Sequence, residues 1–303
     1  MTTPQEIDEP RVHNPPRRGQ WDPIVVDRGS MVFEPRPSVG RVPPDTICDG
    51  WSTPDFTVRL ASIRGDAHRH AGRPRQDHAE ITLHPPTGTV LFAVADGVSS
   101  APLADIGARI AASCALSAAW RMLDESGTVD WAGVVAAAAR AMLRDRDHGL
   151  RAGETPADVE RRLATTLVAG GVRPGPAGPV VSVVQVGDSG AWLLQDGVFR
   201  PILRVKHGGG GPLSSAVEPL PRVPVTLRAE EVPLPPSGVL LVGTDGIGDP
   251  LGDGTGLVGS LLAHTLAEPP PMLGFAHVAG FSRETFDDDR TLVAVWSRPG
   301  RPR

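Results

Sequence analysis

Two apolar runs in this chain end in the same dipeptide. Val90-Leu91-Phe92-Ala93-Val94-Ala95 delivers Asp96-Gly97, and Val239-Leu240-Leu241-Val242 leads through Gly243-Thr244 to Asp245-Gly246. An unbroken apolar run of this length reads as a strand buried on both faces, so the chain must supply cover above and below each one. Each strand then carries an acid to the rim of a core, where a charge is costly unless a cation or hydrogen-bond donors meet it. The following glycine lets the backbone take conformations closed to other residues, or approach a neighbour closely. Asp-Gly is also a favoured hairpin turn. Neither copy, however, is followed by a partner strand: Val98-Ser99-Ser100-Ala101-Pro102 and an alanine-rich helical pattern follow the first, Ile247-Gly248-Asp249-Pro250 and a loop the second. Both read as strand exits carrying acids.

The 303 residues suffice for one large domain or two small ones. A formal net charge of -5 offers no electrostatic footprint for nucleic acid. The two cysteines, Cys48 and Cys114, lie far apart and in no CxxC pattern, which suggests neither a disulfide framework nor a zinc cluster and fits a reduced, cytoplasmic setting. The first residues lack the basic start and apolar run of a signal peptide, and no stretch approaches the roughly 18 apolar residues of a membrane span.

Residues 1–54 are dense in proline and charge, as at Pro15-Pro16-Arg17-Arg18, with short apolar patches such as Ile24-Val25-Val26. This stretch is expected to form a disordered tail outside the fold, with room for part of it to lie along the domain. A single domain is expected over residues 55–298, followed by a short basic tail at 299–303. Residues 57–63 alternate as a half-buried strand does. Residues 65–78 are crowded with cations and histidines and punctuated by glycines and a proline, which predicts irregular backbone. That loop reads either as solvated or as facing phosphate, whose oxygens match the donor fork of arginine. Helical patterns cover about 103–123, 131–144 and 156–165, their apolar stripes reading as core. The period then drops to two, and 166–172, 180–186, 191–195 and 198–202 read as consecutive strands, the last two joined by an Asp196-Gly197 hairpin. Residues 206–236, with Gly208 to Gly211, read as a long loop of the kind that serves as lid, flap or disorder. Short helices are expected over 257–267 and 272–281, and Asp287-Asp288-Asp289 feeds a last apolar strand.

Acids thus recur at loop and strand ends: Asp77, Asp96, Asp245 and the cluster at Asp287 to Asp289, with Asp188 between two strands as a further candidate. If they converge, mutual repulsion forbids joint ionisation in a dry site, and divalent cations resolve the conflict. Oxygen ligands without cysteine select Mg²⁺ or Mn²⁺ over zinc or copper. Two such ions about 3.5–4 Å apart can share a water, lower its pKa and hold it in line for attack on phosphorus.

These residues sit in ordered blocks that resemble the metal-dependent serine/threonine protein phosphatases of the 2C type, in a bacterial branch. The blocks, spanning roughly 57–297, are Gly72-x-Pro74-x-Gln76-Asp77, Phe92-Ala93-Val94-Ala95-Asp96-Gly97, Ala164-Thr165-Thr166-Leu167, Val186-Gly187-Asp188-Ser189, Leu241-Val242-Gly243-Thr244-Asp245-Gly246 and Asp288-Asp289-Arg290-Thr291. The resemblance implies an α+β fold, a four-layer α-β-β-α sandwich of two antiparallel sheets flanked by helices, with two Mn²⁺ or Mg²⁺ ions at one end. It implies that Asp96 bridges both ions, that Asp77 and the Gly97 carbonyl bind one, and that Asp245 and Asp288 bind the other. Asp188 and Asp249 match positions that hold a third, weaker ion in some members. Val98-Ser99-Ser100 and Gly190 depart from the family's usual residues, and the loop before Asp77 is altered. Arg73 and Arg75 therefore both stay open as the phosphate-binding group. His68 or His70 is open as proton donor to the leaving group, against a surface histidine with no role.

The function implied is that of a cytoplasmic, monomeric phosphatase, with neither nucleic acid nor membrane as partner. It hydrolyses phosphoserine or phosphothreonine on a protein substrate of a Ser/Thr kinase, in one step and without a phosphoenzyme. Two alternatives stand beside it: a non-catalytic module of the same fold that binds phosphoproteins, with residues 206–236 as contact surface, and a small-molecule phosphatase.

Overall fold

Alternation within single strands builds the layers. Val90, Phe92 and Val94 face one core while Leu91, Ala93 and Ala95 face another. Leu240 and Val242 share the first of these cores, whereas Val239 and Leu241 turn to a third. A computed structural model describes residues 21–30, 33–38, 42–203 and 218–298. Along it run β1 (Thr46–Ser52), β2 (Phe56–Ile63), α1 (Asp66–Ala71), β3 (His78–His84), β4 (Thr89–Ala95), α2 (Ala104–Ser126), α3 (Trp131–Arg144), α4 (Pro156–Leu163), β5 (Leu167–Arg173), β6 (Val180–Val186), β7 (Gly190–Gln195), β8 (Val198–Pro201), β9 (Glu230–Pro233), β10 (Val239–Gly243), α5 (Asp245–Leu251), α6 (Leu257–Thr265), α7 (Met272–Ala279) and β11 (Arg290–Ser297).

One sheet has the order β1-β2-β11-β10-β7-β8, the other β3-β4-β5-β6-β9, and every pairing within them is antiparallel. The central core between them joins Phe56, Val58 and Leu60 of β2 to Phe92 of β4 and Val183 of β6. Outside the second sheet, α2, α3 and α4 bury Ala111, Val134, Val135 and Val159. Outside the first, α5, α6 and α7 bury Ile247, Val258, Leu262 and Phe275. This is the expected four-layer sandwich. Each fully buried branched or aromatic side chain contributes about 1.5–3 kcal/mol, and the alanines of α2 let that helix lie close on its sheet.

Local chemistry sets the helix ends. Thr155 and Asp158 form a reciprocal capping box at α4, with Pro156 at its first position. Gly127 closes α2 in the left-handed conformation, with φ 70°. The β7–β8 hairpin turns at Asp196-Gly197, both with positive φ, as expected.

The structure departs from the sequence reading in four places. Thr46–Ser52, within the stretch set outside the fold, pairs along its whole length with β2. Ile24-Val25-Val26 lies along the domain, as the sequence reading left room for: Val25 bridges Ser282, and Val26 is buried with α5 to α7. Residues 66–71 are helical rather than irregular, and Asp245 opens a helix rather than a loop. Within 206–236, β9 adds an edge strand beside β6. Pro15-Pro16-Arg17-Arg18, Gly208 to Gly211 and the basic tail at 299–303 lie outside the described residues.

Candidate metal and active site

Antiparallel pairing puts the acids at one end of the sandwich. His78 opposes Ala95, so Asp77 and Asp96, one residue further out on each strand, leave the second sheet together. Gly243 opposes both Leu292 and Gly190, so Asp245, Asp288 and Asp188 leave the first sheet at the matching edge. The two edges then meet. Asp77 is buried, and its Oδ2 accepts the Thr244 hydroxyl at 2.8 Å across the gap between sheets. Asp96 and Asp245 share a side-chain hydrogen bond.

The electrostatics follow from that crowding. Burial drives the Asp77 carboxyl well above the usual carboxylate range, and the charge of Asp289 adds to it, despite hydroxyl bonds from Thr291 and Thr244. Burial also drives Asp96 well up, reinforced by Asp77 and Asp245. Asp245 is raised to about 6, chiefly by burial; its bond to Asp96 opposes the rise, and the charges of Asp288, Asp188 and Asp249 add to it. Asp288 rises through burial and the Asp289 charge, although 57% of its side chain meets solvent, which screens much of the effect.

Hydroxyls fix the backbone around these acids. Thr166 donates its N–H to the Asp96 carbonyl at 2.8 Å and accepts the Asp96 N–H on Oγ1 at 3.0 Å. The Thr165 hydroxyl donates to the same carbonyl at 2.8 Å, and Thr166 Oγ1 lies 2.8 Å from Ser189 Oγ, beside Asp188. At the start of α5, Thr244 makes no side-chain cap bond; its hydroxyl serves Asp77 and accepts the Thr291 N–H at 3.2 Å. The glycines of both Asp-Gly pairs are required by space rather than by positive φ. A Cβ on Gly97 would lie 2.7 Å from Ala104 Cβ, and one on Gly246 1.9 Å from the Asp289 carbonyl oxygen.

The basic segment before Asp77 divides into structural and exposed groups. Arg75 is 1% exposed, donating to the Ser62 carbonyl at 2.9 Å and the Asp77 carbonyl at 3.2 Å. Arg69 pairs with Asp45 and Asp66, and Arg64 donates to the carbonyls of Arg36 and His68, so these cations hold α1 in place. His70 is exposed and packs edge-to-face on Phe33. His68 is buried on α1, with Nδ1 2.9 Å from Asp289 and 4.0 Å from Asp288. Burial lowers its pKa, but the hydrogen bond and charge of Asp289, with Asp288, raise it on balance. Arg73 is exposed and close enough to act on His68 by its charge.

Thr244, Thr291 and Asp289 complete the site; the sequence reading gave the two threonines no role and took Asp289 only as a member of the acidic cluster. The donor set fits a divalent cation. Asp77, Asp96 and Asp245 are each pushed up by one another or by further acids, a conflict that oxygen-coordinated Mg²⁺ or Mn²⁺ removes. His68, Asp288 and Asp289 also place ligand atoms within 4.8 Å of one another.

Residues 64–268 match the family model for protein phosphatase 2C. No curated protein matches the chain in sequence. Among solved structures, the serine/threonine phosphatase PstP/Ppp of Mycobacterium tuberculosis superposes with a TM-score of 0.54 at 17% identity, covering 81% of this chain and 100% of that one. RsbX in complex with magnesium gives 0.52 at 12% identity, covering 83% and 100%. The catalytic domain of PstP in complex with two manganese ions gives 0.51 at 18%, covering 81% and 99%. The likeness to these structures lies in the fold, a pair of antiparallel sheets with helices outside. The chain belongs to the protein phosphatase 2C family.

Proposed function

We propose that this chain is a metal-dependent phosphatase that releases phosphate from phosphoserine or phosphothreonine of a protein substrate. The observation that carries the reading is the Asp96–Asp245 pair, two carboxyls from different sheets that share a hydrogen bond beside Asp77 and Asp288. Mg²⁺ and Mn²⁺ are the cations favoured, by the oxygen donors and by the ions named with RsbX and PstP. Asp77, Asp96, the Gly97 carbonyl, Asp245 and Asp288 are the groups that would hold two such cations. Asp188 and Asp249 are assigned to a third. When bound, cations of this kind would lower the pKa of a water and orient it toward phosphorus.

The chain's own residues supply the rest. Thr165 and Thr166 hold the Asp96 backbone, and Thr244 holds the Asp77 carboxyl. Arg73, at the open rim, takes the phosphoryl oxygens. Hydrolysis forms a bond from water oxygen to phosphorus and breaks the bond to the serine or threonine oxygen. That leaving oxygen takes up a proton, for which His68 is the donor.

The test is phosphate release from a phosphothreonine peptide with Mn²⁺ or Mg²⁺, comparing the parent with Asp96→Asn and Asp245→Asn. Metal-dependent release that disappears in both variants supports the reading. A folded parent that releases nothing with either metal overturns it in favour of a phosphoprotein-binding module, and equal turnover of free phosphorylated metabolites favours a small-molecule phosphatase.

A further inference from the structure

Asp289 is the member of the acidic cluster that faces inward. Its side chain is 2% exposed, whereas that of Asp288 is 57% exposed. Both Asp289 oxygens meet N–H groups. Oδ1 accepts the Gly65 N–H at 2.6 Å and lies 2.9 Å from His68 Nδ1, and Oδ2 accepts the Gln76 N–H at 2.5 Å. These donors come from the start of α1, from the ring that α1 buries, and from the residue directly before Asp77. The Asp289 N–H in turn donates to Asp288 Oδ1 at 2.8 Å. One side chain at the start of β11 therefore ties together segments that carry Asp77, Asp288 and His68.

We propose that Asp289 is the positioning residue of the cation site: it holds Asp77, Asp288 and the His68 ring in register without ligating a cation, and it sets the Nδ1–H tautomer of His68. Oδ1 already meets the Gly65 N–H and His68 Nδ1, and Oδ2 meets the Gln76 N–H, so three of the carboxylate's roughly four acceptor sites serve the protein rather than a cation. A carboxylate that receives the imidazole Nδ1–H keeps that proton in both the neutral ring and the imidazolium, so Nε2 is the nitrogen that takes up a proton and gives it to the leaving oxygen. Asparagine cannot replace it. Its NH₂ group would face either the Gln76 N–H or the Gly65 and His68 donors, so at least one buried donor loses its acceptor. Partners of this kind, one bond removed from the ligands, typically carry about 10–100-fold in metal affinity. The inference rests on the proposed reading for its catalytic consequence, but its test does not require turnover.

The test is calorimetric titration of the full chain with Mn²⁺, comparing the parent, Asp289→Asn and His68→Gln. Mn²⁺ affinity is expected to fall about 10–100-fold in Asp289→Asn, and less in His68→Gln, where the Gly65 and Gln76 anchors remain. Unchanged Mn²⁺ affinity in Asp289→Asn, with only a lower melting temperature, overturns the proposal and leaves Asp289 a purely structural acid. Should Asp289→Asn fail to fold, long-range ¹H–¹⁵N imidazole spectra of the parent decide. Neutral His68 protonated on Nδ1 is expected, and protonation on Nε2 contradicts the proposal. A parent that binds Mn²⁺ tightly, weakens as described on substitution and yet releases no phosphate removes the phosphatase reading while leaving this one intact.

Discussion

Asp96 follows a strand of one sheet and Asp245 a strand of the other, yet their side chains share a hydrogen bond. Two half-buried acids in that relation cannot both ionise cheaply, so the metal-free fold carries a local penalty that a cation removes. Asp96→Asn is expected to stabilise the metal-free protein by about 1–2 kcal/mol. The same variant should lose the rise in melting temperature that Mn²⁺ gives the parent. Thermal melts with Mn²⁺ and with chelator check both halves, and a variant less stable than the parent without metal contradicts the account.

The pH dependence has a definite sign. Asp77, Asp96 and Asp245 keep their protons to higher pH in the folded chain than in the unfolded one, Asp245 to about 6. Between the ordinary aspartate range and those raised values the folded state binds more protons, so stability falls as pH rises. His68, also raised, works in the same direction: its contribution is complete below the ordinary histidine range and is lost above its folded value. The metal-free protein is thus expected to melt higher at about pH 5 than at about pH 7.5, and saturating Mn²⁺ to shrink the difference. Melting that climbs with pH over that interval in chelator would count against it.

Thr244 links the two sheet edges through a single hydroxyl, which donates to Asp77 and accepts from the Thr291 N–H. Thr244→Val keeps the shape and removes both bonds. Its cost is expected at about 1–3 kcal/mol, because a buried N–H loses its acceptor and Asp77 a donor. Urea denaturation measures it, and a neutral substitution would show that the hydroxyl is not needed.

Arg73 and Arg75 are two residues apart, one exposed and the other buried. Arg75→Met is expected to cost about 2–4 kcal/mol, since its buried guanidinium serves the Ser62 and Asp77 carbonyls. Arg73→Ala should change stability by no more than about 0.5 kcal/mol, as an exposed residue. It should lower kcat/KM for the phosphopeptide on the order of 100-fold by removing donors to the phosphoryl group. Equal kinetic losses with equal destabilisation in both variants would refute this division.

Much of this was legible in the sequence, and the reasons are local. The runs before Asp96 and Asp245 are apolar without interruption, and the helix over 131–144 follows its own periodicity. α1 has six residues, too few for a helical period to show, and is held by Arg69 and Arg64 contacts with distant residues. β1 reads Thr-Ile-Cys-Asp-Gly-Trp-Ser in a proline-rich context and has a mixed burial pattern that gives no clean alternation. Asp-Gly at a strand exit marked the acids in advance. The supporting groups carried no such mark: Thr244 and Thr291 lie 47 residues apart, Asp289 and Gly65 224 apart, and each acquires its role only when the two sheets close on one another.

The central claim, that the acidic end of the sandwich is a two-cation phosphatase centre, is tested most directly by anomalous diffraction from crystals grown with Mn²⁺. The account predicts two manganese peaks about 3.5–4 Å apart, with Asp96 touching both, Asp77 and the Gly97 carbonyl on one, and Asp245 and Asp288 on the other. Crystals saturated with Mn²⁺ that show no peak among these residues would contradict it.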